Sequence, residues 1–376
     1  ILFADSWATP GMLKQFVTIL LHGRQTILKF NAPVSLRAIA DEGLSEEITL
    51  RKLARVLRVH FRRQRSAAIG PDMSHRRTLL DEIMRSEPVE AAIAREVMER
   101  GVSREVAESR ARLYGNEIAS DYSYPVIRFL EIFLTWLWTR LYNGVTVHNM
   151  EVIEKHATDH EIIYVPCHRS HIDYLLLSYV IFTRGYMTPH IAAGANLNMP
   201  VVGGLLRRGG AFFLRRTFKD NFLYGAVFNE YLHQMLSRGF PIEYFVEGGR
   251  SRTGRLLSSK LGMINMTLRS YLRDHNRPLV FIPAYIGYEK LMEGGSYLDE
   301  LSGRPKEKES IWSLLWSIPK VLKQNYGQVV VNFGEPIALN DVLAQRAPDW
   351  NGQPVGEDEK PSWLSGTVDH LAERIQ

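Results

Sequence analysis

His168 and Asp173 stand five residues apart in the stretch Tyr164-Val-Pro-Cys-His168-Arg-Ser-His-Ile-Asp173-Tyr. An imidazole held by a carboxylate is a general base, because the carboxylate orients the ring and stabilises the imidazolium formed on proton uptake. Positions five apart on one helix differ by about 140°, so the two side chains cannot pair within a helix. The spacing therefore places His168 in a turn after a strand ending near Pro166, with Ser170 as N-cap and Asp173 in the first helical turn. There the helix dipole and free amides keep the carboxylate ionised. Ser170-x-x-Asp173 before an apolar run is equally a capping box, which accounts for both residues without catalysis. As a metal set, His168, His171 and Asp173 lack a further His or Cys at supporting spacing, and no metal is expected. Cys167 precedes His168 and would face the opposite side of a strand, so it reads as a buried bystander thiol.

Three more stretches carry candidate chemistry. Phe245-Val-Glu247-Gly248-Gly249-Arg250-Ser-Arg252-Thr-Gly254 follows an expected strand. Its glycines permit a tight turn in which Arg250 and Arg252 can converge on a phosphate. The same composition also suits an ordinary solvated loop. A Gly-x4-Gly-Lys-Ser/Thr loop is absent from the sequence, which removes support for nucleotide hydrolysis. In Ala211-Phe-Phe-Leu-Arg215-Arg216, strand alternation lets one of the two arginines face a site and leaves open which. Phe281-Ile-Pro283-Ala-Tyr285-Ile-Gly-Tyr288 is an apolar strand punctuated by aromatics, whose plain reading is core.

The elements that must position these residues show in the texture after about Val152. Short apolar runs at Ile162–Pro166, Ala211–Leu214, Ile242–Val246, Leu279–Tyr285 and Val329–Phe333 predict strands. Helical stretches such as Ile172–Phe182, Phe222–Ser237 and Leu261–Arg273 lie between them. Alternation of this kind predicts an α/β fold with a mostly parallel sheet flanked by helices, here preceded by an N-terminal mainly helical domain. The expected organisation is a helical domain over 1–120, an interfacial helix within 121–150, a catalytic domain over 151–340, and a linker over 341–376 leading to a further region. Residues 46–65 read as a basic amphipathic helix, and the Trp-rich run 125–147 is broken by Arg128, Glu131 and Arg140, which suits an interface or a core better than a membrane span.

Composition narrows the classes. With 376 residues, 45% of them hydrophobic and 23% charged, the chain is a folded protein. One cysteine excludes an internal disulfide framework and fits a reducing compartment. The net charge is +5, and 34 of the 46 basic residues are arginine, the side chain that grips phosphate oxygens bidentately. Anionic partners follow. Nucleic acid is not expected, since the basic residues are not interleaved with a stacking platform.

Taken in order, the four stretches resemble the four sequence blocks of the glycerolipid acyltransferases, and most closely the bacterial membrane-bound glycerol-3-phosphate 1-O-acyltransferases. The resemblance covers about Val152–Leu339. Val246 stands where the lysophosphatidate branch has a proline, which argues against that branch. The resemblance implies that His168 deprotonates the 1-hydroxyl of glycerol 3-phosphate while Asp173 orients it. The alkoxide then attacks the thioester of acyl-CoA or acyl-carrier protein, a co-substrate, with no cofactor and no acyl-enzyme. It further implies that Arg215 or Arg216, with Arg250 and Arg252, holds the phosphate, and that Ser170, Glu247, Gly248 and Gly249 shape the site. Pro283 would line the acyl side. The implied setting is a phospholipid surface at the cytoplasmic face of a bacterial inner membrane, peripheral or monotopic, and the chain ends suggest a longer enzyme. Competing readings are a dihydroxyacetone-phosphate acyltransferase, a thioesterase-like hydrolase, and a non-catalytic module for anionic lipid.

Overall fold

The structure, a computed structural model, describes residues 11–12, 16, 34–71, 76–218, 221–251, 254–274, 277–291, 324–350 and 361–376. The chain divides into two compact units, Ile1–His60 and Phe61–Gln376. In the first, α1 (Leu36–Ala40) starts at Ser35, whose hydroxyl accepts the Ala38 amide at 3.2 Å. The 24-residue α2 (Glu46–Ile69) then runs into the second unit and includes the basic stretch 46–65.

The second unit opens with α3 (Arg76–Met84), α4 (Glu87–Arg100) and α5 (Arg104–Ile118), followed by α6 (Tyr124–Leu141), β1 (Val145–His148) and α7 (Glu151–His156). It continues through β2 (Glu161–Pro166), α8 (Asp173–Thr183), β3 (His190–Gly194), α9 (Val202–Arg208) and β4 (Ala211–Leu214). Next come α10 (Phe222–Ser237), β5 (Ile242–Glu243), α11 (Leu261–Arg273), β6 (Leu279–Tyr288), β7 (Val329–Phe333), β8 (Ile337–Ala338), α12 (Leu339–Arg346) and α13 (Ser362–Ile375). Pro88 sits in the first turn of α4, where its missing amide costs nothing, and Gly101 stops that helix at φ 64°.

Strand order is β1-β7-β6-β2-β5-β3-β4, with β8 added to β6. Every pairing is parallel except those of β6 with β7 and β8. Residues of β2 alternate between two cores. Ile163 and Val165 join the layer of α3, α4, α5, α10, α11, α12 and α13, whereas Ile162 and Tyr164 join the layer of α6, α7 and α8. Burial on both faces explains why β2 reads as one apolar run. The central strands β2 and β5 deliver the turn at His168 and the loop at Glu247 to the carboxyl edge of the sheet, where ligands bind in open α/β folds.

Two boundaries differ from the sequence reading. Helices α3 to α5, expected to belong to a domain ending at 120, bury Leu80, Ile83, Ile93 and Ala107 in the same core as α10, so the unit boundary falls at His60. Of the expected linker 341–376, residues 351–360 lie outside the described residues, but α13 buries Leu364, Val368, Leu371 and Ile375 in the main core. Their 4-3-4 spacing is a helical stripe hidden behind an Asp/Gly/Pro-rich approach. Among the described residues no helix is long and apolar enough to cross a membrane.

Candidate active site

Main-chain geometry brings His168 and Asp173 together. After Pro166 the chain turns, and His168 Nδ1 comes to 2.9 Å from Asp173 Oδ2. The same oxygen accepts the backbone amides of Arg169 at 2.6 Å and Ser170 at 2.8 Å, while Oδ1 accepts the Tyr288 hydroxyl at 2.7 Å. Asp173 is fully buried, and an ionised carboxylate there makes Nδ1 the donor, leaving the Nε2 lone pair to take a proton. The imidazole is 17% exposed, enough for a substrate to reach, and packs on Phe245 with ring centroids 4.1 Å apart.

Ser170 does not cap the helix as expected. Helix α8 begins at Asp173 without a side-chain cap, and the buried Ser170 hydroxyl accepts the Ile172 amide at 3.4 Å. Half of the capping box forms nonetheless, since Asp173 reaches back to the Ser170 amide. One carboxylate thus both closes the turn and holds the imidazole.

Glu247 is a strut. Its oxygens accept the amides of His168 at 2.9 Å and Leu257 at 2.8 Å, and the Ser251 amide donates to the His168 carbonyl at 2.8 Å. The arginine loop and the base loop are therefore tied together by backbone contacts. Gly248 has φ 63°, and a Cβ there would lie 2.6 Å from Lys260 Cγ, whereas Gly249 faces open space. Arg169, which sequence reasoning passed over, is also buried, with Nη1 donating to Ser251 Oγ at 3.4 Å and its guanidinium 5.8 Å from the Tyr285 ring.

The two arginines after β4 separate. Arg215 makes a bidentate pair with Glu117 on α5 at 2.8 and 2.7 Å and lies over the rings of Tyr114 and Tyr224. That hydrogen-bonded carboxylate raises its already high pKa further. Arg216 is exposed, and Arg250 is half-buried. Arg252 lies outside the described residues. Cys167 donates to the Ile286 carbonyl and accepts its amide at 3.2 Å, and burial pushes its thiol up, as suits a bystander.

Beside His168 opens an apolar cavity of about 270 Å³ between α6, α8, α9 and the ends of β3 and β4. Leu130, Leu134, Leu175, Phe182 and Leu206 line it, and Ala193, Gly194, Gly209 and Ala211 keep its floor low. Sequence reasoning missed this cavity, because its walls come from segments up to 118 residues apart, Ile127 to Phe245. Pro283 is elsewhere. It pairs with Val165 and lines a separate depression of about 160 Å³ with Cys167, Glu247 and Tyr285, so it does not line the larger cavity. Beneath the site, on β5, the fully buried Glu243 is pushed well above the usual carboxylate range by burial, reinforced by the Asp173 charge. Tyr174, which lines the cavity, is pushed up to about 12, again chiefly by burial.

Three family models match the chain. Residues 1–70 match the glycerol-3-phosphate acyltransferase PlsB N-terminal domain, residues 144–287 the acyltransferase family, and residues 297–376 the glycerol-3-phosphate acyltransferase C-terminal region. The glycerol-3-phosphate acyltransferase of Xanthomonas axonopodis pv. citri is 60% identical over 376 residues, covering 100% of this chain and 42% of that protein. That of Ectopseudomonas mendocina is 57% identical over 375 residues, covering 100% of this chain and 45% of that protein. The chain thus spans less than half the length of these curated relatives. A crystal structure of the 1-acyl-sn-glycerophosphate acyltransferase of Thermotoga maritima matches at 20% identity and TM-score 0.35, covering 79% of this chain and 94% of that one.

Proposed function

We propose that the chain is part of a glycerol-3-phosphate acyltransferase, the family whose models and relatives it matches, and that it transfers an acyl group from acyl-CoA or acyl-carrier protein to the 1-hydroxyl of glycerol 3-phosphate. The observation that carries this reading is the His168–Asp173 pair opening onto an apolar cavity of about 270 Å³. A base beside an apolar space serves a reaction that joins a hydroxyl to an apolar acyl group.

His168 Nε2 takes the proton of the hydroxyl as its oxygen bonds to the thioester carbonyl carbon. The tetrahedral intermediate collapses, the C–S bond breaks, and the imidazolium returns the proton to the leaving thiolate. A neutral hydroxyl reacts poorly unless base and carbonyl are both in range, so fixing the phosphate end of the substrate is worth much of the barrier. Arg216, Arg250 and Arg252 would supply that anchor. Arg215 is committed to Glu117 instead. The acyl chain would occupy the apolar cavity, and the loop struts of Glu247 would hold the anchor at a fixed reach from His168.

The product keeps a chain in the bilayer, and the cavity rim suits a lipid surface. Phe129, Ile132, Phe133 and Trp136 form an exposed stripe on α6, and Val201, 87% exposed, projects next to α9 at φ 67°. A β-branched residue held at positive φ is strained, and such strain clusters at functional loops. Peripheral docking at the cytoplasmic face of a bacterial inner membrane follows from this reading. The test is thiol release from palmitoyl-CoA with glycerol 3-phosphate, dihydroxyacetone phosphate or neither, with lipid products identified. Release that depends on glycerol 3-phosphate and yields 1-acylglycerol 3-phosphate is expected; equal release without an acceptor would make the protein a hydrolase.

A further inference from the structure

We propose that Tyr288 is a third member of the base, a positioning residue whose hydroxyl fixes the plane of the Asp173 carboxylate and so aims His168. The inference rests on the reading of His168 as base. Tyr288 closes β6, 115 residues beyond Asp173, and donates to Oδ1 at 2.7 Å. The other oxygen, Oδ2, carries His168 Nδ1 and two backbone amides. The terminal torsion of an aspartate is soft, so donors gathered on one oxygen leave the plane free to rock, and a donor on the second oxygen stops it. The Tyr288 ring is itself held by packing. It lies 6.0 Å from the ring of Tyr142, which lies 5.9 Å from Trp138 and 5.8 Å from Tyr326.

The other titratable groups near Asp173 cannot play this part. Both Glu243 oxygens on β5 lack a hydrogen-bond partner among the described residues, the Cys167 thiol bonds to Ile286, and Tyr174 on α8 lines the apolar cavity, while burial and the Asp173 charge push all three groups up. Arg169 meets the carboxylate through its backbone amide, and Glu247 meets the His168 amide. The Tyr288 hydroxyl is the side-chain donor that divides the carboxylate's charge between its two oxygens.

The experiment compares Tyr288→Phe with Tyr142→Phe in the full-length protein. Tyr142→Phe removes a hydroxyl from the same aromatic cluster. Two readouts are taken: kcat and KM for glycerol 3-phosphate across pH, and the pH midpoint at which diethyl pyrocarbonate modifies His168, followed by peptide mass spectrometry. Tyr288→Phe is expected to lower kcat about tenfold, the worth of one hydrogen bond to a charged group, with KM unchanged. It is also expected to move the His168 midpoint to higher pH, because the undivided carboxylate charge then falls on the imidazolium. Tyr142→Phe should match the wild type in both readouts. A Tyr288→Phe protein with wild-type kcat and midpoint, or equal losses in both variants, overturns the proposal. If the wild type transfers no acyl group, the acyltransferase reading falls, and the midpoint still decides on Tyr288: a shift supports it and no shift refutes it.

Discussion

Replacing Arg215 and Arg216 in turn by glutamine separates a structural arginine from a substrate-binding one. Arg215 makes two hydrogen bonds to Glu117 at 2.8 and 2.7 Å and lies 5.0 and 4.7 Å from two tyrosine rings. The pair is 39% and 26% exposed, so solvent screening reduces its Coulombic worth to a fraction of a kcal/mol. Two partly exposed cation–π contacts add about 0.5–1 kcal/mol each. The expected loss for Arg215→Gln is therefore about 2 kcal/mol, read as a fall in Tm of roughly 5 °C for a unit of this size. KM for glycerol 3-phosphate should hold. Arg216 is exposed and carries no such contacts among the described residues, so Arg216→Gln should leave Tm within about a degree. Losing a charge-assisted bond to phosphate, worth about 1.5–3 kcal/mol, should raise KM by roughly 10- to 150-fold. Thermal melts and substrate titrations on the two variants decide it. A KM rise in Arg215→Gln with Tm unchanged, and the reverse pattern in Arg216→Gln, would refute the division of roles.

Glu161, buried at the start of β2, has its carboxyl pushed up to about 8 by burial, with Arg277 opposing. The folded state then holds a proton that the unfolded chain releases above about 4.5, so its contribution falls as pH rises from there to about 8. Glu161→Gln should raise Tm at pH 8 and change it little at pH 5, and a gain independent of pH would contradict this. Gly248→Ala should cost about 1–2 kcal/mol by melting and lower activity, whereas Gly249→Ala stays within about 0.5 kcal/mol, because Gly248 alone of the two needs positive φ. Phe129→Ser with Trp136→Ser, both on the exposed face of α6, should weaken flotation with anionic liposomes while leaving Tm in place. Undiminished flotation would move the docking face elsewhere.

Much of the sheet is legible in the sequence because β2, β4, β6 and β7 are apolar runs bounded by turns. Of the helices between them, α11 shows a clear apolar stripe, whereas α8 is apolar nearly all round. β3 escaped because His190-Ile-Ala-Ala-Gly194 has one β-branched residue and no alternation. The His168–Asp173 pair is legible since both residues lie in one turn. Partners set by tertiary contact are not: Glu117 meets Arg215 across 98 residues, and Tyr288 meets Asp173 across 115. Nothing local at Glu117 or Tyr288 distinguishes it from a surface acid or a core aromatic. Pro283 illustrates the same limit, since its parallel register with Val165, which puts it beside the smaller depression and not the larger cavity, cannot be read from its apolar block.

The central claim is that His168, aimed by Asp173, is the base of an acyl transfer. The most direct test measures 1-acylglycerol 3-phosphate formed from palmitoyl-CoA and glycerol 3-phosphate by full-length wild type, His168→Ala and Asp173→Asn. Loss of general base catalysis should cost about 10²- to 10⁴-fold in kcat in both variants, with folding intact by melting. A His168→Ala protein that forms the product at the wild-type rate would contradict the account.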